Sequence, residues 1–459
     1  MTARPEHPAT VTAGRLPLSA HVWRSTRLAA PVMLGRAGLI IMISVDSIMT
    51  GHAGAAELAF YAISLAPHTT LLVLGIGLLV GTVILTAQSD GAGRRADAGP
   101  IWLTSLWISA GMGTLGGLIL LSGPHLLLAI GQPPSLAAGG GRALVMSALG
   151  MPAILMYIAT TFFLEGLGRP TPGMVVALSA NLLNGALNWV LIQGNLGAPE
   201  MGAAGASLAT SITRWVMLAA LIGYALGMTD RAAHGLDRGL RGGLAIARKL
   251  LRVGAPLSIA AGLETASFAT VATFAGRLGE VPLAAYQIAF NVVTLVFMLA
   301  IGLSNATSIR VANAVGRADR VGMATAGWVG IGLVGILMVL VAATIRGTGD
   351  WIAQLYSNDV GVVALAVPAL AVTAMIVVVD GMQAVVLGAL RGTGDVVLPT
   401  LCHAISFWAV AVPAAYLLGL RGPAGVTGLF WGLFLGLVCA VVLLSWRFAI
   451  VARRVARPM

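Results

Sequence analysis

The sequence predicts an all-α polytopic membrane protein: twelve transmembrane helices in two six-helix lobes, a parallel internal repeat around a central cavity. Three observations predict it. First, of 459 residues 58% are hydrophobic and only 9% charged, with a mean hydropathy of +0.93, which does not describe an apolar core inside a polar surface. Second, apolar stretches of about 20 residues recur along the chain, each long enough to cross a hydrocarbon core of about 30 Å as a helix. Third, the second half of the chain repeats the first. A membrane barrel would instead need lipid-facing and lumen-facing residues to alternate with period two.

The apolar runs place spans near residues 28–50, 58–86, 100–121, 143–164, 172–193, 203–226, 254–275, 283–308, 324–345, 361–389, 397–419 and 424–446. Residues 1–20 lack the apolar core of a signal peptide and read as a cytoplasmic tail. Residues 21–226 then form the first lobe, 227–252 a polar cytoplasmic linker, 253–446 the second lobe and 447–459 a second cytoplasmic tail.

A net charge of +11 suggests a nucleic-acid surface until the basic residues are placed. Of the 27 Lys and Arg residues, 21 fall on the side of the amino terminus and four (Arg142, Arg277, Arg346 and Arg421) on the other, while Arg36 and Arg214 lie within spans. That asymmetry follows the positive-inside rule and puts both termini in the cytoplasm of a bacterial inner-membrane protein. No folded soluble domain is left to bind nucleic acid. Cys402 and Cys439 lie in apolar spans and read as small buried residues, with no disulfide or metal role.

A shift of 225 residues lays positions 28–95 on 253–320 without a gap. Ala30 and Pro31 meet Ala255 and Pro256, Tyr61 meets Tyr286, and Gly77, Gly91 and Arg95 meet Gly302, Gly316 and Arg320. At slightly different offsets Gly166 and Gly168 meet Gly392 and Gly394, and Gly202 and Gly205 meet Gly425 and Gly428. An even number of spans per unit gives both halves the same orientation, related by an axis along the membrane normal. Two such bundles can rock to expose a midplane site to each side in turn, which makes the architecture that of a transporter.

Three acids sit deep in the spans: Asp46, Glu264 and Asp380. A charge at the bilayer centre costs about 2.5 to 3.5 kcal/mol on insertion scales, so such residues face a polar cavity and take up a proton or a cation. Asp46 follows Pro31 by 15 residues in one span, and proline bends helices. Pro31 is therefore a candidate hinge coupled to Asp46; the competing reading is a static kink. Asn181, Asn184 and Asn188 lie in the fifth span, the last two one turn apart. Asn184 and Asn188, with Thr210 and more weakly Ser207 from the sixth span, are candidates to join Asp46 around an H⁺ or Na⁺, amide oxygens being suitable hard ligands. Interhelical hydrogen bonding without an ion is the alternative.

In the second lobe Gln287 and Asn291 share a helix face and are expected to line a polar chamber with Glu264, Asp380 and Gln383, a second place where a cation or substrate would bind. Arg36 and Arg214 read as bases that snorkel or pair with an acid, and His68 and His403 as satisfied polar residues.

Five segments in order along the chain, PVMLGRAGLIIMISVDSIMTGHAGAAELA, GIGLLVGTVILTAQSDGAGR, NLLNGALNWVLIQGNLGAPEMGAAGASLATS, GLETASFATVATFAGRLGEVPLAAYQIAFN and DGMQAVVLGALRGTGD, resemble the multidrug and toxic compound extrusion family, especially its NorM-like branch. The resemblance implies H⁺ or Na⁺ coupling at the acid matching Asp46, with polar partners matching Asn184 and Asn188, and further acids matching Glu264 and Asp380. Ile376 stands where some members carry a tyrosine one turn before the latter acid. It also implies amphipathic organic cations and other drugs as cargo, exported by alternating access from a functional monomer in the lipid bilayer, with no cofactor beyond the coupling ion.

Alternatives remain. DGAGRR, residues 90–95, echoes a loop of major facilitator drug/H⁺ antiporters, and a lipid-linked substrate flippase shares the two-lobe architecture. A passive channel is also open. A membrane-embedded enzyme is disfavoured, since HExxH, nucleophile-elbow and Walker A sequences are missing.

Overall fold

The computed structural model describes residues 18–453. The expected tails outside that range, 1–17 and 454–459, lie beyond the described residues. Twelve helices are long and apolar enough to cross a membrane. They are α1 (Leu18–Ala53), α2 (Ala55–Gly91), α3 (Ala98–Leu121), α4 (Pro134–Gly166), α5 (Thr171–Gln193), α6 (Gly202–Leu226), α7 (Gly243–Leu278), α8 (Glu280–Gly316), α9 (Arg320–Tyr356), α10 (Val360–Thr393), α11 (Val397–Arg421) and α12 (Gly425–Arg453). At 1.5 Å per residue the 37-residue helices α2, α8 and α9 run about 55 Å, well beyond the hydrocarbon, and project from it.

Burial alternates along the chain in both lobes. The even-numbered helices are the more buried, and the odd-numbered ones present most of their surface outward. Each lobe therefore has an inner triad (α2, α4, α6 and α8, α10, α12) wrapped by an outer one. The apolar cores follow this division: Tyr157, Phe162 and Phe163 anchor the first lobe, Tyr286, Phe407 and Phe430 the second.

Three features were not anticipated. A short helix, Gly123–Ala129, joins α3 to α4. Within α11 the backbone takes the wider i→i+5 winding over Ile405–Ala411 and Tyr416–Arg421, an irregularity often found at functional sites. The linker is also shorter than expected, because residues 243–252 form the first turns of α7. Their pattern is amphipathic: Leu250 and Val253 are buried while Arg248, Lys249 and Arg252 are exposed, so helix continues out of the bilayer. The remaining linker is pinned. Arg169 donates to both Asp230 oxygens at 2.5 and 3.1 Å, and Gly99 N donates to His234 O at 2.8 Å. Hydrogen bonding from Arg169 holds the Asp230 carboxyl down at about 2.

The lobes meet at one end only. Repeat-related glycines make the contact: a Cβ on Gly91 would lie 2.1 Å from Asn313 O and one on Gly316 2.1 Å from Gln88 O, while Gly77 abuts Ser258 and Gly302 abuts Met33. Small residues let helix backbones approach without a side chain between them. Polar bonds reinforce this end: Gln88 Nε2 donates to Gly392 O at 3.2 Å, Asn313 Nδ2 to Asp90 Oδ2 at 3.1 Å and Ser258 Oγ to Leu74 O at 2.8 Å, and Arg310 donates to Ser25. Beyond the Leu74–Ser258 bond, no side-chain hydrogen bond among the described residues joins the lobes. These contacts gather at the end bearing the linker, the closed end; at the opposite, open end no hydrogen bond among the described residues joins the lobes.

Two predictions follow from this packing. Gly91→Ala should overpack the closed end by about 1–3 kcal/mol. Spin labels at His52→Cys and Arg277→Cys, on the open rim, should then report a shorter distance; an unchanged distribution would show that the glycine contact does not set the conformation. Because the folded Asp230 titrates below its unfolded value, its contribution to linker docking is complete at neutral pH and fades only as pH falls toward about 2. Asp230→Asn should remove that contribution at every pH, read as faster amide hydrogen exchange over residues 228–236.

Candidate functional site: a buried carboxylate in each lobe

Asp46 has no solvent exposure, and four helices converge on it. Asn188 Nδ2 on α5 donates to Oδ1 at 2.7 Å, and Thr210 Oγ1 on α6 and Tyr61 OH on α2 donate to Oδ2 at 2.6 and 3.0 Å. Asn184 supports both neighbours: its Nδ2 donates to Thr210 Oγ1 at 3.0 Å and its Oδ1 accepts from Asn188 Nδ2 at 3.2 Å. A carboxylate accepting from three donors is the arrangement that suits the ionised acid, because the anion is acceptor-only and draws the stronger, charge-assisted bonds. Among the described residues Asn188 Oδ1 and Ser207 Oγ are buried without a partner, which leaves acceptor capacity beside the acid.

A cavity of about 110 Å³ opens beside this cluster, lined by Asp46, Tyr61, His68, Ser207, Thr210 and Arg214 among apolar side chains. Arg214 was expected to snorkel or pair with an acid. Instead its Nη1 lies 2.8 Å from His68 Nε2, and since arginine only donates, that nitrogen accepts and His68 is the neutral Nδ1–H tautomer. Asn181 stands apart from the cluster, donating to Gly38 O at 3.0 Å as an interhelical bond.

Pro31 lies in α1, 15 residues and about 22 Å of helix from Asp46. It borders a pocket with Arg36, Tyr157 and Glu165. There Arg36 does pair with an acid, its Nη2 3.5 Å from Glu165 Oε1 and its guanidinium over the Phe162 ring.

In the second lobe Gln383 Nε2 lies 2.9 Å from His403 Nδ1, and His403 Nε2 lies 3.2 Å from Glu264 Oε2. The amide donates to Nδ1, so Nε2–H points at the carboxylate, and the three groups form a directed chain across α10, α11 and α7. Asp380 is one turn from Gln383 on α10, and its Oδ1 is buried without a partner. Gln287 and Asn291 are not hydrogen-bonded into this chain of groups. Both are exposed, Asn291 Nδ2 donates only to the Gln287 carbonyl of its own helix, and among the described residues no hydrogen bond links either to Glu264, Asp380 or Gln383.

The two clusters are not copies. Under the repeat, Asp46 falls opposite Val271 and Glu264 opposite Leu39, and Thr210 falls opposite Leu433 at the offset that pairs Gly205 with Gly428. Three members escaped the sequence reading: Tyr61, His403 as a bridge, and Glu165. Tyr61 carried a signal, its repeat match to Tyr286, but that match marked framework and not the acid. Glu165 sat just past the edge of an apolar run. Removing the Asp46 Oδ1 donor with Asn188→Ala should destabilise the first lobe by about 1–3 kcal/mol, the cost of an unpaired buried group. Thermal unfolding of the purified protein measures it, and an unshifted midpoint would mean the bond contributes nothing.

Comparison with known proteins places the chain in a family. The profile of the MatE family matches residues 31–190 and 256–417, one match on each lobe. "Probable multidrug resistance protein NorM" of Xanthomonas campestris pv. campestris is 35% identical over 95% of this chain and 95% of its own length, and its namesake in Caulobacter vibrioides is 33% identical over 81% and 79%. "Multidrug resistance protein PmpM" of Pseudomonas aeruginosa is 32% identical over 98% and 96%. Among solved structures the eukaryotic MATE transporter AtDTX14 superposes with a TM-score of 0.86 at 19% identity, covering 95% of this chain and 99% of that one, which establishes a shared fold. The paired matches displace the major facilitator reading suggested by DGAGRR. With one family match on each six-helix lobe and relatives aligned almost end to end, this chain belongs to the MatE family, the multidrug and toxic compound extrusion transporters.

Proposed function

We propose that this protein is a secondary active multidrug exporter of the inner membrane, working as a monomer with both termini cytoplasmic, which expels amphipathic organic cations and other drugs in exchange for H⁺ or Na⁺. The observation that carries this reading is the fully buried Asp46 with donors from three other helices and an unpartnered acceptor, Asn188 Oδ1, beside it. The names of the NorM and PmpM relatives support drugs as the cargo.

The ion acts through the hydrogen bonds. A proton on Asp46 cancels the charge that Asn188, Thr210 and Tyr61 donate to, and gives the acid a donor of its own for Asn188 Oδ1. A Na⁺ would instead draw Asp46, Asn184, Asn188 and Thr210 oxygens inward. Either event changes how α1 sits against α2, α5 and α6, and Pro31 is where α1 can bend in response. Glu264, His403, Gln383 and Asp380 form a second polar locus for a cation or substrate, and the cleft between the lobes is the path alternately exposed. A flippase for lipid-linked cargo would need more basic groups inside the spans than Arg36 and Arg214 supply.

Efflux of a fluorescent organic cation from proteoliposomes under an imposed H⁺ or Na⁺ gradient tests the proposal. Asp46→Asn should lose gradient-driven transport by on the order of 5- to 150-fold, the range of a coupling free energy, while still binding the dye. Full gradient-driven transport by that variant would remove Asp46 from the mechanism, and dye movement by wild type without any gradient would favour a channel. If only one of the two gradients drives efflux, that ion is the coupling ion.

A further inference from the structure

At the closed end a second cavity, about 200 Å³, lies outside the transport clusters. Its walls come from three sources: Leu85 and Ser89 of α2 with Arg94, Asp97 and Ile101 on the way into and along α3; Arg238 and Arg241 of the linker; and Ile246 and Lys249 of α7. Four cations therefore face one carboxylate, and that carboxylate, Asp97, already lies 3.7 Å from Arg94. Among the described residues no acid lies within ion-pair distance of Arg238, Arg241 or Lys249. Like charges converging on one concavity repel unless an anion sits among them.

The linker cannot simply swing aside to relieve this repulsion. It is held by the Arg169 pair on Asp230 and by the Gly99–His234 bond, and Gly235 (φ +69°) packs so closely on Ala96 that a Cβ there would lie 2.0 Å from its carbonyl. The other half of the wall is apolar: Leu85, Ile101 and Ile246 belong to helices long and apolar enough to cross a membrane, each within a few residues of the helix end that meets the loop before α3 or the linker. The volume is below the 300 Å³ or so at which drug-sized pockets begin.

We propose that this cavity binds the phosphodiester headgroup of an anionic phospholipid, with Arg238, Arg241 and Lys249 on the phosphate and Leu85, Ile101 and Ile246 against the start of the acyl chains. Basic pockets between helices at the charged membrane face bind lipid headgroups in this way. The site joins α2 and α3 of the first lobe to the linker and α7 of the second. Its occupant therefore clamps the closed end and biases the protein toward the state described here. The proposal does not depend on which ion is coupled.

The test is native mass spectrometry of the full chain released from phosphatidylcholine nanodiscs doped with phosphatidylglycerol. Wild type should retain phosphatidylglycerol, and the triple variant Arg238→Ala, Arg241→Ala, Lys249→Ala should lose affinity on the order of 100-fold, about fivefold for each cation removed. The charge-matched control Arg231→Ala, Arg248→Ala, Arg252→Ala alters exposed cations of the same region that do not line the cavity, and should retain the lipid. Equal retention by wild type and the lining variant would overturn the site, and so would equal loss in the control, which would mean diffuse attraction to the surface. Inorganic phosphate added in phosphatidylcholine alone should not reproduce the effect of the lipid on the distance between labels at His52→Cys and Arg277→Cys; if it does, with no lipid retained, the ligand is free phosphate and the lipid assignment falls.

Discussion

One buried carboxylate organises the first lobe. Asp46 has no solvent-exposed surface, and an isolated charge there would be expelled or neutralised. It remains because three side chains from three other helices aim donors at it. The energetic demand of one atom pair thus fixes the rotation of α1 against α2, α5 and α6. It also makes the lobe responsive, since whatever changes the charge on that acid changes the packing of four helices at once.

The second lobe meets the same problem with different parts. Glu264 lines up with a histidine and an amide, and the positions that would mirror Asp46 and Thr210 are Val271 and Leu433. Duplication preserved the scaffold, visible in the glycines at the lobe contact and in the shared alternation of inner and outer helices, while the polar interiors diverged. The symmetric features are the glycine contacts and helix alternation of the scaffold; the asymmetric ones are the polar groups each lobe buries. A buried polar group needs particular partners and so tolerates little change, whereas an apolar position tolerates any residue of the right volume.

The closed end shows how little contact holds two lobes together in a membrane. Lipid competes equally for apolar surface, so close backbone approach at glycines and a few polar bonds carry the association. Gly77 with Gly302 and Gly91 with Gly316 read in the sequence as a repeat signature, and in three dimensions they are the lobe interface itself.

Twelve spans, two halves and three intramembrane acids were legible from the sequence alone, because hydrophobic length, charge asymmetry and self-similarity are written locally and answer to the solvent and not to neighbouring helices. The same local reading paired Asn184 with Asn188, since one helical turn sets that distance. What only the tertiary structure decided is which faces meet. Tyr61 turning onto Asp46, His403 bridging Gln383 and Glu264, and Glu165 receiving Arg36 all depend on how each helix is rotated within its bundle. That rotation is set by the summed packing of residues far apart in the chain, and no periodicity within a single helix contains it.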